Sequence, residues 1–463
     1  MLNIADICVV QVRVGEALEL VGCGFGTILY NVGCYLVVMS SAVPVAALAI
    51  IGLVVKCEWR LTPMDIAVLQ MTPSVAQGIS GLLTSNLGDL YGRRRVILVA
   101  TTAGLGLGAL SGAVANYWSL IVLTSLATTM LGLTGGPCQA FAGEISPSRF
   151  RGLALSASGL GYGIASFIIS GLAYLTLDAF GWQGYLSLSY LIFFPAAVIF
   201  FIIRESPFFS VRQGKVNEAE TTINSIRRMN SKSEPDIVLK AEPVNIGQHQ
   251  TGNIVASYRT LVETGHRDQF WYLVSMTLAS QFTYNAILFV APLFLHEGYC
   301  VRNFQADKSD CGFDKSILFD LGIVGISEPL TVLIATILMD IIGRRPTFMI
   351  SAVLSTVLPT GIYFCVSSTW LITFLALTKG ALSALSLASF VICAEKFPTN
   401  VRSFTSSVVS SLYSLSVVGA VLVTQFLYPA SPRAVVALFQ VTGLLVCGLL
   451  SQINTETMGQ VLD

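Results

Sequence analysis

The sequence predicts an all-α membrane protein, twelve transmembrane helices in two pseudo-symmetric six-helix bundles, and three observations carry that expectation. Of 463 residues, 54% are hydrophobic and only 11% charged, where a soluble domain has about 25% charged. Apolar runs of about 20 residues, the length that spans ~30 Å of hydrocarbon, recur along the chain. Two different loop motifs also return at one common spacing.

Composition sets the solvent. A mean hydropathy of +0.73 leaves too little polar surface to cover a water-soluble core of this size. Twenty-six basic residues balance 26 acidic ones, so no overall field recruits nucleic acid. Residues 1–21 carry Asp6, Arg13, Glu16 and Glu19, which breaks the basic-then-apolar order of a secretory leader. The stretch reads instead as an amphipathic, cytosolic lead-in. Cys23, Cys34, Cys138, Cys365, Cys393 and Cys447 lie in apolar runs, where a thiol acts as a small hydrophobe. His249, His266 and His296 all fall outside those runs and no C-x-x-C pair occurs, so neither a bound metal nor a cofactor is expected.

Six spans are expected at 27–54, 64–86, 96–115, 118–143, 152–176 and 184–203, and six more at 269–293, 317–338, 347–366, 369–393, 404–427 and 433–452. Helix is the forced conformation, because backbone groups in lipid must be satisfied within each segment. The chain then divides into an N-terminal half, 1–203, a cytosolic central loop, 204–268, and a C-terminal half, 269–463. Loops following the even-numbered spans hold 18 Lys and Arg residues against six on the opposite side. The positive-inside rule therefore puts both termini in the cytosol.

The repeat is the most informative feature. Asp89-x-x-Gly92-Arg93-Arg94 recurs as Asp340-x-x-Gly343-Arg344-Arg345, and Glu144-x-x-Pro147-x-x-x-Arg151 recurs as Glu395-x-x-Pro398-x-x-x-Arg402, each 251 residues downstream. Two unrelated motifs sharing one gapless offset imply two related six-helix halves. Paired halves around a midplane site suit alternating access better than catalysis. Glycine permits the tight reversal and the arginines anchor it at an anionic surface. Asp89 and Asp340 are expected near the positive start of a helix in the opposite half, Thr405 and Leu153 respectively, so that each carboxylate with its glycine and arginines gates the cytosolic side, with plain anchoring as the alternative. Glu144 with Arg151, and Glu395 with Arg402, are expected either to latch a cytosolic gate or to form structural ion pairs. No Ser/His/Asp set or phosphate-cradling loop appears. Gly104 to Gly108 reads as close helix packing, and no enzyme activity is expected.

These loops resemble the major facilitator superfamily, in its sugar-porter and organic-ion branches. Arg204-Glu205-Ser206-Pro207 with Gly214-Lys215 resembles the segment after their sixth helix, and Glu456-Thr457-Met458-Gly459 their closing motif. Gly24-Phe25-Gly26, Cys57-Glu58-Trp59, Gly136-Pro137-Cys138-Gln139 and Ser327-Glu328-Pro329 are similar to the synaptic vesicle 2-related transporters. The resemblance covers nearly the whole chain. It implies a monomeric carrier of a small organic solute in a vesicle or plasma membrane. The chain also departs from the pattern: Ser85 and Leu90 replace the usual Gly and basic residue, residues 39–44 of the first span hold no acid, and Ser125 stands where relatives commonly carry Arg. Residues 159–171 contain no Pro and so lack the drug-antiporter signature. A transport-inactive protein of the same fold, acting by binding or trafficking, therefore stands beside the transporter reading.

Within the apolar segments the charges singled out are Asp320, Glu328 and Lys379, costly to bury unpaired. Counting back from the repeated loops puts Glu328 about 18 Å and Lys379 about 24 Å up their helices. That difference is one turn, within reach of an ion pair, while Asp320 at about 30 Å falls at the far interface. Pairing would neutralise the pathway. With no acid in the first span, facilitated transport is then expected. Asn31, Tyr35, Gln139, Gln281, Phe282, Tyr284, Asn285 and Tyr413 complete the candidate cavity wall, although polar residues on central helices also glue helices together. Cys300 and Cys311 share a long non-cytosolic loop and are expected to form a disulfide.

Overall fold

The computed structural model describes residues 11–230, 237–239, 254–297, 315–364, 367–397 and 399–452. A two-residue strand β1 (Gln11–Val12) precedes α1 (Val14–Val21), α2 (Phe25–Glu58), α3 (Pro63–Tyr91), α4 (Arg93–Ser111), α5 (Tyr117–Gly132), α6 (Gly135–Ile145), α7 (Ser148–Leu191) and α8 (Phe194–Ile202). Next come α9 (Pro207–Arg212), α10 (Val216–Met229), β2 (Val238–Leu239) and α11 (Ile254–Glu263). The second series is α12 (Arg267–Glu297), α13 (Lys315–Ile341), α14 (Arg344–Val357), α15 (Thr360–Tyr363), α16 (Ser368–Lys396), α17 (Thr399–Leu422), a π turn (Val423–Leu427), α18 (Tyr428–Ala430) and α19 (Pro432–Gln452).

Helix starts follow ordinary capping chemistry. Thr62 and Asp65 form a capping box at α3, with Pro63 in the first turn, and Asn116 caps α5 by accepting from the Ser119 N–H at 3.0 Å. Ten helical stretches among the described residues are long and apolar enough to cross a membrane. One, Leu160–Ile202, runs 43 residues, roughly 65 Å at the α-helical rise and too long for a single crossing. It breaks at Gly181, where φ is 66°, and this gives two crossings. Helix α4 has 19 residues; its opening Arg93-Arg94-Arg95 and its glycines lower its apolarity. With α4 included, the arrangement is consistent with twelve spans.

Trp118, Leu175, Phe201 and Phe364 are each at least 70% exposed. On a soluble surface such side chains are scattered singly, but here they form the outer face of a multi-pass membrane protein. The lead-in forms α1 as an amphipathic helix, burying Ala17, Leu18 and Val21. It lies against α10, and β1 pairs in parallel with β2 through Gln11↔Val238 and Val12↔Leu239. Asn230 ties this cap to α2, accepting from the Gly26 N–H at 2.8 Å and donating to the Val21 carbonyl at 3.3 Å. A Cβ on Gly24 would sit 2.6 Å from Asn230 Cγ, so the Gly-Phe-Gly motif is a backbone-approach site. The segment read from sequence as a central loop thus contains α9, α10, α11 and β2.

The repeated loops share one backbone form. Gly92 and Gly343 both have positive φ, 96° and 93°, a region that disfavours any residue with a Cβ. Arg94 then reaches back to the carbonyls of Phe200, 3.0 Å, and Phe201, 2.8 Å. Arg345 donates to the Ser451 carbonyl at 3.1 Å. Ser451 follows Phe200 by the same 251 residues that separate Arg345 from Arg94. The two bundles meet where α3 packs on α17 and α7 on α13. At the second crossing a Cβ on Gly163 would lie 2.7 Å from the Glu328 Cβ, so glycine sets how closely the bundles approach.

Candidate functional site

A cavity of about 80 Å³ lies between the bundles, room for several waters. The N-terminal bundle lines it with Val38 and Ser41 of α2, Gln77 and Gly81 of α3, Leu131 and Gly132 of α5, Gly135 and Gln139 of α6, and Tyr162 of α7. The C-terminal bundle supplies Tyr284 of α12, Glu328 of α13, Ser383, Ser386, Leu387 and Phe390 of α16, and Ser410, Tyr413 and Ser414 of α17. Hydroxyls and amides alternate with apolar surface, the composition of a site that orients a small polar molecule.

Glu328 and Lys379 are the charged element. Glu328 Oε1 is 2.6 Å from Lys379 Nζ, with the side chains only 1% and 4% exposed. Local sequence sets this register. Pro329 has no N–H and leaves the helix ladder of α13 open at that turn. The Ser327 hydroxyl is shared between the carbonyls of Val324 and Ala376, 2.7 Å each, which fastens α13 to α16 one turn before Lys379. The second carboxylate oxygen accepts from Tyr284 at 2.7 Å and lies 3.4 Å from the Ser383 hydroxyl. The ammonium is 6.0 Å from the Tyr284 ring centroid and donates to Ser166 Oγ of α7 at 3.1 Å. An ion pair so buried holds only while both partners are present; removing one leaves a charge that costs several kcal/mol.

Aromatic rings cross the cavity. Tyr162 and Tyr413 have centroids 5.0 Å apart, Tyr284 and Tyr413 6.0 Å, and Tyr162 shares a 3.1 Å hydrogen bond with Ser41. Gln77 donates to the Ser41 carbonyl at 3.1 Å. Of the residues proposed from sequence as cavity wall, Gln139, Tyr284, Glu328 and Tyr413 line it, and Lys379 stands directly behind Glu328. Asn31, Tyr35, Gln281, Phe282 and Asn285 lie away from its lining, because each joins helix to helix. Asn31 bonds Ser146 at 3.2 Å and Tyr35 the Ala154 carbonyl at 3.3 Å. Gln281 bonds Ser386 at 2.6 Å, Asn285 bonds Ser416 at 2.9 Å, and Phe282 packs against Gly419. Sequence reasoning missed Gln77, Tyr162 and the serines. Gln77 was findable, since it precedes Glu328 by the repeat offset of 251.

At the end bearing the repeated loops, Arg93 pairs with Glu144, whose carboxylate also accepts from the Ser206 hydroxyl at 2.5 Å. Glu205 caps α4, accepting from the Arg94 N–H at 3.0 Å and the Ser206 N–H at 3.1 Å. A carboxylate at a helix N-terminus is favoured by the dipole, so the Arg-Glu-Ser-Pro segment locks the first repeated loop from within its own half. Arg344 and Arg345 open α14 as Arg93 and Arg94 open α4. The side chains of Asp89, Arg151, Asp340, Glu395 and Arg402 lie outside the described residues, as do Cys300 and Cys311. Asp320 is half-buried in the second turn of α13, away from the cavity lining. No group of three or more His, Cys, Asp or Glu that could hold a metal occurs among the described residues.

The sugar (and other) transporter family matches residues 61–463. The chain belongs to that family. Human SVOPL is 24% identical over 97% of this chain and 93% of its own length. The synaptic vesicle 2-related protein of Xenopus laevis is 25% identical over 84% of this chain and 71% of its own. Among solved structures, the proton:xylose symporter XylE bound to 6-bromo-6-deoxy-D-glucose superposes with a TM-score of 0.67 at 16% identity, covering 94% of this chain and 97% of that one. Inward-open XylE from E. coli also gives 0.67, at 14% identity. The major facilitator fold, read from the repeated loops, and the kinship with synaptic vesicle 2-related proteins, read from the Gly24, Cys57, Gly136 and Ser327 motifs, both stand; family and fold are those of transporters.

Proposed function

We propose that this chain carries a neutral, hydroxyl-rich, sugar-like solute across the membrane by alternating access, as a facilitator. One observation supports it above the others: the one carboxylate among the cavity-lining residues is neutralised in place by Lys379, leaving serine, glutamine and tyrosine groups to hydrogen-bond an uncharged ligand. Membership of the sugar (and other) transporter family points the same way. In this reading residues 1–203 and 269–463 rock as two units linked by 204–268, with the Arg93–Glu144 network stiffening the cytosolic end. The protein acts as a monomer, with both termini cytosolic, in a vesicle or plasma membrane. The acid-free stretch 39–44 of the first span and Ser125 in place of a basic residue favour one second reading, a transport-inactive protein that acts by binding or trafficking.

Proteoliposome uptake separates them. D-Glucose, D-xylose or myo-inositol should enter, while tetraethylammonium and p-aminohippurate should not, and a protonophore should leave sugar uptake unchanged. Uptake that collapses with the pH gradient would remove the facilitator claim. Binding without uptake would select the inactive reading.

A further inference from the structure

The Lys379 ammonium is shared between the two bundles. Its ion-pair partner, Glu328, is in its own half, 2.6 Å away, but its other bond, 3.1 Å long, goes to Ser166 on α7 of the opposite half. Glu328 is divided in the same way. Oε1 faces Lys379, while Oε2 faces Tyr284 and Ser383, both of which line the cavity. Gly163, three residues before Ser166, brings α7 against Glu328 and Pro329. A path of charge-assisted contacts therefore runs from the cavity surface through one carboxylate and one ammonium to the far bundle. Such bonds are stronger than neutral ones, and this one spans a boundary that must open during alternating access.

We infer that Ser166 and Lys379 form an occupancy-sensed latch: a solute hydroxyl that donates to Glu328 Oε2 pulls the carboxylate toward the cavity, the ion pair carries Lys379 with it, and the ammonium leaves Ser166. The inference rests on the sugar-like reading of the cavity. It makes Ser166, which lies outside the cavity lining, a positioning residue for reorientation. A donor hydroxyl on the solute is the chemical signal. In this scheme the latch is closed in the unloaded carrier and restrains its reorientation.

Ser166→Ala in the full-length chain, reconstituted and assayed with D-glucose and D-xylose, tests this. The half-saturating sugar concentration should stay within about twofold of wild type, while the maximal zero-trans rate rises at least threefold, the scale expected from losing one hydrogen bond to a charged group. Exchange should speed up less than net uptake, because loaded carriers have already released the latch. Ser166→Thr, which keeps the hydroxyl, should return the rates to wild type. A purely structural role would move exchange and net rates together, and rates that are unchanged, lowered or equally raised overturn the latch. If the wild-type protein takes up neither sugar, the sugar reading itself fails and the latch falls with it. An Ala variant that does not insert would be replaced by Ser166→Cys, which is close to serine in volume and a far weaker hydrogen-bond acceptor; the same ratio of net to exchange rate decides.

Discussion

The two halves of this protein are built alike at their loops and differently at their centres. The arginines of the repeated loops reach main-chain carbonyls that are themselves related by 251 residues, Phe200 and Ser451. The glycines before them share a positive φ. At the centre, the same offset sets Gln77 opposite Glu328 and Thr128 opposite Lys379. In the N-terminal half these are neutral: Gln77 donates to the Ser41 carbonyl and Thr128 to the Pro73 carbonyl, 2.9 Å away. In the C-terminal half they are a buried ion pair. The bonds that make the fold, which end on backbone, are common to both halves, while the ion pair at the cavity wall is confined to one side.

The largest effect should come from breaking that asymmetry halfway. Lys379→Thr alone, or Glu328→Gln alone, strands a buried charge and should lower stability by about 3–5 kcal/mol. The double variant gives the C-terminal half the residue types of its twin and should recover most of that loss, a coupling visible in thermal unfolding of the detergent-solubilised protein. Losses that simply add would mean the two side chains do not act as a pair. A recovered fold with lost net-to-exchange control would place the charge in transport rather than in stability.

What was legible in the sequence follows the same division. Apolar length gave the spans and the gapless repeat gave the two bundles, because lipid constrains every residue of a crossing and a turn motif depends on few neighbours. Glu328 and Lys379 stood out because charge in an apolar run has few uses. The polar wall was harder to read. Ser41 and Ser383 each also bond a carbonyl on their own helix, 2.7 and 3.0 Å away, a habit of any serine in a membrane helix, so their type does not mark a cavity. Asn31, Gln281 and Asn285 look like ligand groups in one dimension and become helix-to-helix bonds in three. Helices such as α2, apolar all round, carry no periodic signal to show which face meets the cavity.

A smaller contrast lies at the loops. Arg94 makes two carbonyl bonds and opens a helix capped by Glu205, while Arg345 donates from an exposed position to the Ser451 carbonyl. Arg94→Ala should therefore cost about 1–3 kcal/mol and Arg345→Ala about 0.5–1.5 kcal/mol. Glu205→Gln keeps an acceptor and removes the charge at the helix start, an expected loss of about 0.3–1 kcal/mol. Equal losses at Arg94 and Arg345 would show that the loop bonds, like the turns, are interchangeable between halves.

A comparably small effect should come from Tyr162, whose hydroxyl bonds Ser41 within the N-terminal half while its ring lies tilted against Tyr413 of the other. Tyr162→Phe keeps the ring contact and loses one neutral hydrogen bond, so stability should fall by only about 0.5–1.5 kcal/mol. If the hydroxyl also serves the solute, the half-saturating D-glucose concentration should rise by roughly the factor of two to ten that this energy represents, with the maximal rate unchanged. Tyr284→Phe provides the counterpart in the charged half. It removes a donor from a carboxylate, where bonds are stronger, and should weaken the sugar more than Tyr162→Phe does. Equal shifts from the two tyrosines would mean that the ion pair gives its side of the cavity no special weight in binding.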